Sequence, residues 1–326
     1  MATIKDVAKE AGVAVETVSR VMNNRGYISE KTREKVTTAM NALNYTPNAF
    51  ARGLSKKQMD FIAVIVPHVA HPFFAKFISN IEKEATKRDY KIFLYNTSGD
   101  RENESEVLTL AQNSLMTGAL LFSSDFKLKA LEKFNIPIVL IEREGTSKTP
   151  SIQCDNAMGG AMAAKHLISK GCKHLIVIST YNPENMPGDD REEAFIKECH
   201  NAGVSCSVYR ATPKQYEEMM YYETIETAVR ENPDCDGIFA TADLIGAQVI
   251  QVCSREGLKI PEDIKLVGFD DVELSRLTTP SMTTIRQPIR EMAELAVDMI
   301  DRLKDGKTVA HNNIMKVSLV ERETTA

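Results

Sequence analysis

From residue 61 onward, short and almost continuously apolar runs alternate with helical stretches. FIAVIVP is followed by a helix after Pro72, KIFLYN (91–96), a helix around 103–116, GALLFSS (118–124) and IPIVLIE (136–142). The rhythm returns in HLIVIS (174–179), a helix after Arg191, a helix around 214–231, GIFATA (237–242), a helix over 244–256 and IKLVGFD (264–270). A strand that is apolar on both faces must be covered on both faces, and crossover helices between parallel strands supply that cover. The region is therefore predicted to be α/β, with two Rossmann-like parallel-sheet subdomains meeting near residue 157. Ligands of such sheets lie outside the carboxyl ends of the strands, here the cleft between the halves.

The first 57 residues are a different object. They hold ten Lys and Arg against five Asp and Glu, whereas the whole chain carries a net charge of −5, so a small basic unit is joined to a large acidic one. That asymmetry suggests a polyanion-binding module attached to a domain with another task. Thr3-Ile4-Lys5-Asp6 reads as a capping box, and Ile4, Val7, Ala8 and Ala11 follow at helical spacing until Gly12. After the tight Gly12-Val13 connection a second helix is predicted over Val15 to Met22, with Val18, Val21 and Met22 on its apolar face. A third opens at Ser29 and carries Val36, Ala39, Met40 and Leu43. Two short helices joined this closely form a helix-turn-helix, and the third closes a small core.

With its apolar face turned inward, the second helix presents Val15, Glu16, Thr17, Ser19 and Arg20. Arg20 can pair bidentately with guanine, Glu16 can accept from cytosine N4, and Val15 can meet a thymine methyl. Thr17, Ser19, Asn23, Ser29 and Thr32 are short donors suited to phosphates; Thr3 and Tyr45 complete the candidate DNA-contacting set.

These residues carry a resemblance. IKDVAKEAGVAVETVSRVMNN, then SEKTREKVTTAMNALNYTPNAFARGL, is similar to the DNA-binding headpiece of the lactose/galactose repressor (LacI/GalR) family. The resemblance implies a hinge helix from Asn48 to Leu54 that folds only on operator, with Leu54 levered into the minor groove and Ala51 and Arg52 lying along it. It also implies a homodimer on a palindromic operator. Ala14 stands where the family commonly has a Ser N-cap, a change expected to cost roughly 0.5–2 kcal/mol or a phosphate contact.

The cleft of the larger region carries no GxGxxG, GxxxxGK[ST] or GxSxG motif and no paired zinc-ligand spacing, so neither catalysis nor a cofactor is expected. His68-x-x-His71 and Cys199-His200 with Cys206 are weak metal candidates. Polar residues do gather at strand ends: Phe73 and Phe74, Glu142-Arg143, Asp155-Asn156, Arg191, Asp243, Asp270-Asp271 and Gln287. Carboxylates and Arg bond sugar hydroxyls while an aromatic covers the ring face.

HPFF, LIER, CDNxxGG, RxxAF, ATADLIGAQ, LVGFDD and TTIRQP resemble landmarks of the same family's effector domain, which is similar to periplasmic sugar-binding proteins. The likeness implies that Phe73 or Phe74 stacks on a small carbohydrate or phosphosugar while Arg143, Arg191, Asp270 and Gln287 hydrogen-bond it. Asp155 and Asp243 join the candidate effector-binding set. Ala242 departs from the usual Asn-Asp pair, and Glu142 replaces a usual Asp. The implied organisation is a headpiece and hinge over 1–57 and an effector and dimerisation domain over 58–326. Within the latter, an N-subdomain spans about 58–157 and 288–314, and a C-subdomain about 158–287 and 315–326. The expected function is release of a sugar-operon repressor by its effector, with a corepressor- or protein-partner-dependent regulator as the alternative.

No charge-free stretch is long enough to span a bilayer, since Phe61 to Ala75 is short and broken by Pro67 and Pro72. The start MATIKDVAKE lacks a signal peptide's apolar region. Six cysteines without a CxxC pair suit a reducing compartment, and a cytoplasmic location is expected.

Overall fold

The computed structural model describes the chain except Met1, 23–25, 47–58, 98–100, 123–127, 147 and 182–185, together with the side chains at 101, 102, 128 and 129. Two compact units, Met1–Met59 and Asp60–Ala326, are built on separate cores.

In the first unit, α1 (Ile4–Ala11) begins because Thr3 and Asp6 satisfy each other's orphan amides. Asp6 N–H donates to Thr3 Oγ1 at 3.4 Å, and Thr3 N–H to the Asp6 carboxylate at 2.8 Å. It ends at Gly12, whose φ of 63° is a left-handed conformation that only glycine takes without a Cβ penalty. Next come α2 (Val15–Met22) and α3 (Glu30–Ala42), the latter capped by Ser29, whose Oγ accepts from Thr32 N–H at 3.3 Å. Val7, Ala8, Ala11, Val18, Val21, Val36 and Ala39 form the core, with Ile4, Met22, Met40, Leu43 and Tyr45 packed around it.

The second unit holds two six-stranded sheets. Its elements run β1 (Met59–Val66), α4 (Pro72–Lys87), β2 (Lys91–Asn96), α5 (Arg101–Asn113), β3 (Met116–Leu121), β4 (Ile138–Ile141) and β5 (Ser151–Cys154). Then follow α6 (Asn156–Ser169), β6 (His174–Ser179), α7 (Asp189–Ala202), β7 (Ser205–Arg210), α8 (Pro213–Glu218), α9 (Tyr222–Glu231), β8 (Gly237–Ala240), α10 (Asp243–Arg255) and β9 (Lys265–Asp270). β10 (Thr283–Arg286), α11 (Ile289–Lys304), β11 (Asn312–Met315) and β12 (Ser318–Val320) complete it. The strand orders are β11-β5-β4-β3-β1-β2 and β12-β10-β9-β8-β6-β7. Every pairing described is parallel except β10 with β12. The chain passes between the sheets after β5, after β10 and after β11, so Asn156 and Gln287 lie at crossovers.

Two details differ from the expected elements. The stretch 214–231 is not one helix: it breaks at Met219, whose φ is 55°, and Gln248 braces the break by accepting from Tyr221 N–H at 2.7 Å and donating to Met219 O at 2.9 Å. The turn lets Tyr221 bury fully against the second core. The unexpected strands β7, β11 and β12 all lie at sheet edges and show no fully buried residue. Among the described residues, no helix is long and apolar enough to cross a membrane.

Candidate functional site

A cleft between the two sheets encloses about 810 Å³, part of it open to solvent. Its lining comes from the carboxyl ends of strands and the first turns that follow them. His71, Phe73 and Phe74 start α4; Ile141 and Glu142 end β4; Thr180 and Tyr181 follow β6; Arg191 lies in the first turn of α7. Tyr216 comes from α8, Thr241 and Ala242 follow β8, Asp270 ends β9 and Gln287 follows β10. Phe122 packs edge-on against Phe74, with ring centroids 5.8 Å apart.

Arg191 organises the polar floor. Its Nε donates to Asn156 Oδ1 at 2.6 Å and its Nη1 to Thr241 O at 2.9 Å, while Nη2 lies 3.6 Å from Glu142 and Nη1 3.9 Å from Asp270. The guanidinium also stacks over Phe269 at 3.7 Å, a cation–π contact out of water. Two glycines permit this approach. A Cβ at Gly160 would meet the Arg191 carbonyl oxygen at 1.9 Å, and one at Gly159 the Phe269 ring at 2.5 Å. Glu142, with φ of 52°, turns its carboxylate to accept from Cys154 N–H at 2.7 Å and Asn156 Nδ2 at 3.1 Å.

Asp270 is held at φ of 116°, a region costly for any residue with a side chain, and accepts from Gln287 Nε2 at 2.7 Å. Burial pushes its carboxyl up, opposed by the Arg191 charge and the Gln287 hydrogen bond. Gln287 is 3% exposed, and its Oε1 has no partner among the described residues. Burial, reinforced by His68 and Arg191, lowers the His71 imidazole to about 4, so it is neutral at pH 7. Its Nδ1 accepts from Phe73 N–H at 3.3 Å, which leaves the proton on Nε2 as a donor. Burial raises the Tyr216 phenol to about 12.

Of the candidate effector-binding residues, Phe73, Phe74, Arg191, Asp270 and Gln287 come together in the cleft, whereas Arg143, Asp155 and Asp243 do not line it. Asp155 caps α6 by accepting from Met158 N–H at 2.9 Å. Asp243 is fully buried and accepts from Val272 N–H at 2.9 Å and Thr284 Oγ1 at 2.6 Å, in room that Gly268 leaves for it. Burial and the neighbouring Asp270 push Asp243 well up. The backbone turns left-handed at Glu142, and that residue, unlike Arg143, lines the cleft. Sequence reasoning missed His71 as a lining residue, as well as Phe122, Tyr181 and Tyr216. Among the described residues, no three His, Cys, Asp or Glu groups are placed to hold a metal ion.

In the first unit Val15, Glu16 and Arg20 are exposed on α2, Thr17 and Ser19 half-buried beside them. Arg20 Nη2 donates to Glu16 Oε1 at 2.7 Å, so the two candidate base readers satisfy each other. Thr3 and Ser29 are exposed caps, Ser29 Oγ lies 2.9 Å from Thr32 Oγ1, and Thr32 and Tyr45 are half-buried. Tyr27, passed over in the sequence, is 98% exposed. Asn23, Asn48, Ala51, Arg52 and Leu54, with the hinge they belong to, lie outside the described residues.

Residues 3–48 match the bacterial regulatory proteins of the lacI family, and residues 164–325 match a periplasmic binding protein-like domain. The chain is 32% identical to the ribose operon repressor of Halalkalibacterium halodurans, over all of this chain and 97% of that one. It superposes with a TM-score of 0.88, at 26% identity and 99% coverage of both chains, on the lac repressor dimer bound to operator and the anti-inducer ONPF. A periplasmic binding protein/LacI transcriptional regulator from Alkaliphilus metalliredigens, complexed with D-xylulofuranose, gives a TM-score of 0.75 at 29% identity, over 82% of this chain and 99% of that one.

Proposed function

The chain belongs to the lacI family of bacterial regulatory proteins, and on that footing we propose that it represses a sugar-utilisation operon and is released from its operator by a small carbohydrate held in the cleft. It acts in the cytoplasm as a homodimer on a palindromic operator, as a regulator rather than an enzyme. α2 lies in the major groove with Val15, Glu16 and Arg20 on base edges, and Thr3, Thr17, Ser19, Ser29, Thr32 and Tyr45 contact the backbone. Effector binding biases the two subdomains toward one arrangement, and the change passes through residues 48–55 to the paired headpieces.

The observation that carries this reading is the cleft's composition. Aromatic rings line it, and Arg191, Asp270 and Gln287 converge at strand ends to bond hydroxyls. Phe73, Phe74, Arg191, Asp270 and Gln287 form the effector site, to which we add Glu142 and His71. The test is fluorescence anisotropy on a panel of palindromic operators at fixed salt, with and without mono- and disaccharides. Specific binding released by one sugar establishes the inducible repressor. Binding that requires an added ligand or partner identifies a corepressor-dependent regulator instead.

A further inference from the structure

The cleft's hydrogen-bonding capacity selects the charge of its ligand. Among the described residues that line it, Arg191 is the one permanent cation, and its Nε and Nη1 are already committed to Asn156 and Thr241 O. Against it stand two carboxyl groups, Glu142 at 3.6 Å and Asp270 at 3.9 Å. The spare capacity is mixed. Arg191 Nη2 and His71 Nε2 remain as donors, while Gln287 Oε1, buried and without a partner among the described residues, demands a donor from the ligand. A hydroxyl both donates and accepts and can answer both kinds, whereas a phosphate or carboxylate oxygen only accepts and would leave Gln287 Oε1 unanswered.

A groove beside the cleft carries the same bias. The open groove that shares Thr180, Tyr181 and Met186 with the cleft is lined by Glu144, Asp189, Asp190, Glu192 and Glu193, and its lining cation, Arg210, is paired with Glu192. Inside, Phe73, Phe74, Phe122 and Ala242 offer apolar surface.

We infer that the effector is an uncharged polyhydroxylated ligand with one apolar ring face, a neutral sugar or glycoside, and that phosphorylated sugars are rejected. The inference rests on the reading of the cleft as the effector site and narrows it. Calorimetry and operator release with the full-length protein test it on matched pairs: ribose and ribose 5-phosphate, glucose and glucose 6-phosphate, sucrose and sucrose 6-phosphate. In any pair that binds, the phosphate ester is expected to bind at least about 100-fold more weakly than its parent, because it brings a further anion to a cleft that already sets two carboxyl groups against one cation. The double variant Asp190→Asn/Glu144→Gln, outside the cleft itself, should leave the parent's affinity unchanged and narrow that gap.

A phosphate ester that binds as tightly as its parent, and releases operator, overturns the inference while the cleft keeps its role. If no member of any pair binds or releases operator, the effector-site reading falls and takes the inference with it.

Discussion

In the helix-turn-helix unit Arg20 reaches Glu16 at 2.7 Å while their side chains remain 60% and 75% exposed; in the cleft Arg191 stands 3.6 Å from Glu142 with exposures of 12% and 15%. The shorter pair is the weaker one. Exposed i,i+4 pairs contribute about 0.3–0.5 kcal/mol, because water competes for both charges. Such a pair can be surrendered to base edges at little cost, which suits residues that read DNA. In the cleft the charges have left water, and each is held by fixed partners such as Asn156, Thr241 O, Cys154 N–H and Gln287. There the polar groups are preorganised, and a ligand meets a geometry already set.

The contrast is broken most forcefully at Arg191. Arg191→Ala leaves Asp270 and Glu142 without their cation, Thr241 O without a donor and Asn156 Oδ1 with the Cys154 thiol alone, a loss of about 3–5 kcal/mol. Denaturant unfolding should show that loss in the larger unit, and operator binding measured below the new midpoint should no longer respond to sugar. A cost under about 1 kcal/mol would place this network on a par with the surface pair.

His71 tests the cleft by pH. Its folded value is depressed from 6.5 to about 4, so the native imidazole stays neutral while the unfolded chain takes up a proton. The sign follows: stability is fully present above pH 6.5 and falls by roughly 3 kcal/mol on acidification to pH 4. Asp270 acts in the opposite sense, since its raised value favours the native state at low pH and that contribution is lost as pH rises. His71→Asn removes the first contribution alone, because the Asn side chain can still accept from Phe73 N–H as an N-cap. Stability profiles of the two proteins should therefore diverge below pH 6.5, and parallel profiles would show that His71 is open to protonation in the native state.

The same contrast explains what could be read from the sequence. Val7, Val18 and Val36 fall on helical spacing, and FIAVIVP or IKLVGFD announce strands buried on both faces, because burial repeats along an element. The edge strands β7 and β11 carry polar residues and leave no such trace. Around the cleft, Asp243 and Asp270 both stand near the carboxyl ends of strands and look equivalent in sequence. What separates them is Asp270's φ of 116° and the space beside Gly268 that takes the Asp243 carboxylate, neither of which is a local property. Likewise, once the backbone turns left-handed at Glu142, alternation no longer tells which of Glu142 and Arg143 faces in.

A smaller effect is expected for Arg20→Ala. Removing a bidentate guanine reader should lower operator affinity roughly 10- to 100-fold, relax the preference at one base pair and barely alter unfolding. Titration of operators substituted at each half-site position measures all of this. Uniform weakening across sequences would make Arg20 a phosphate contact.

The smallest change is expected from Glu16→Gln, which keeps shape and removes one charge from a unit holding ten Lys and Arg against five Asp and Glu. Its pair with Arg20 is solvent-exposed, so the headpiece should keep its stability within about 0.5 kcal/mol. On DNA two effects oppose each other. Non-specific affinity rises a few-fold, because one more net positive charge meets the phosphates and Arg20 is no longer neutralised by its neighbour. Discrimination falls, because a carboxylate accepting from cytosine N4 has become an amide that both donates and accepts. Anisotropy titrations against operator and scrambled duplex, at two salt concentrations, separate the two effects. A headpiece destabilised by more than about 1 kcal/mol would mean that the exposed pair is structural after all, and the distinction between a disposable surface pair and a fixed cleft network would have to be redrawn.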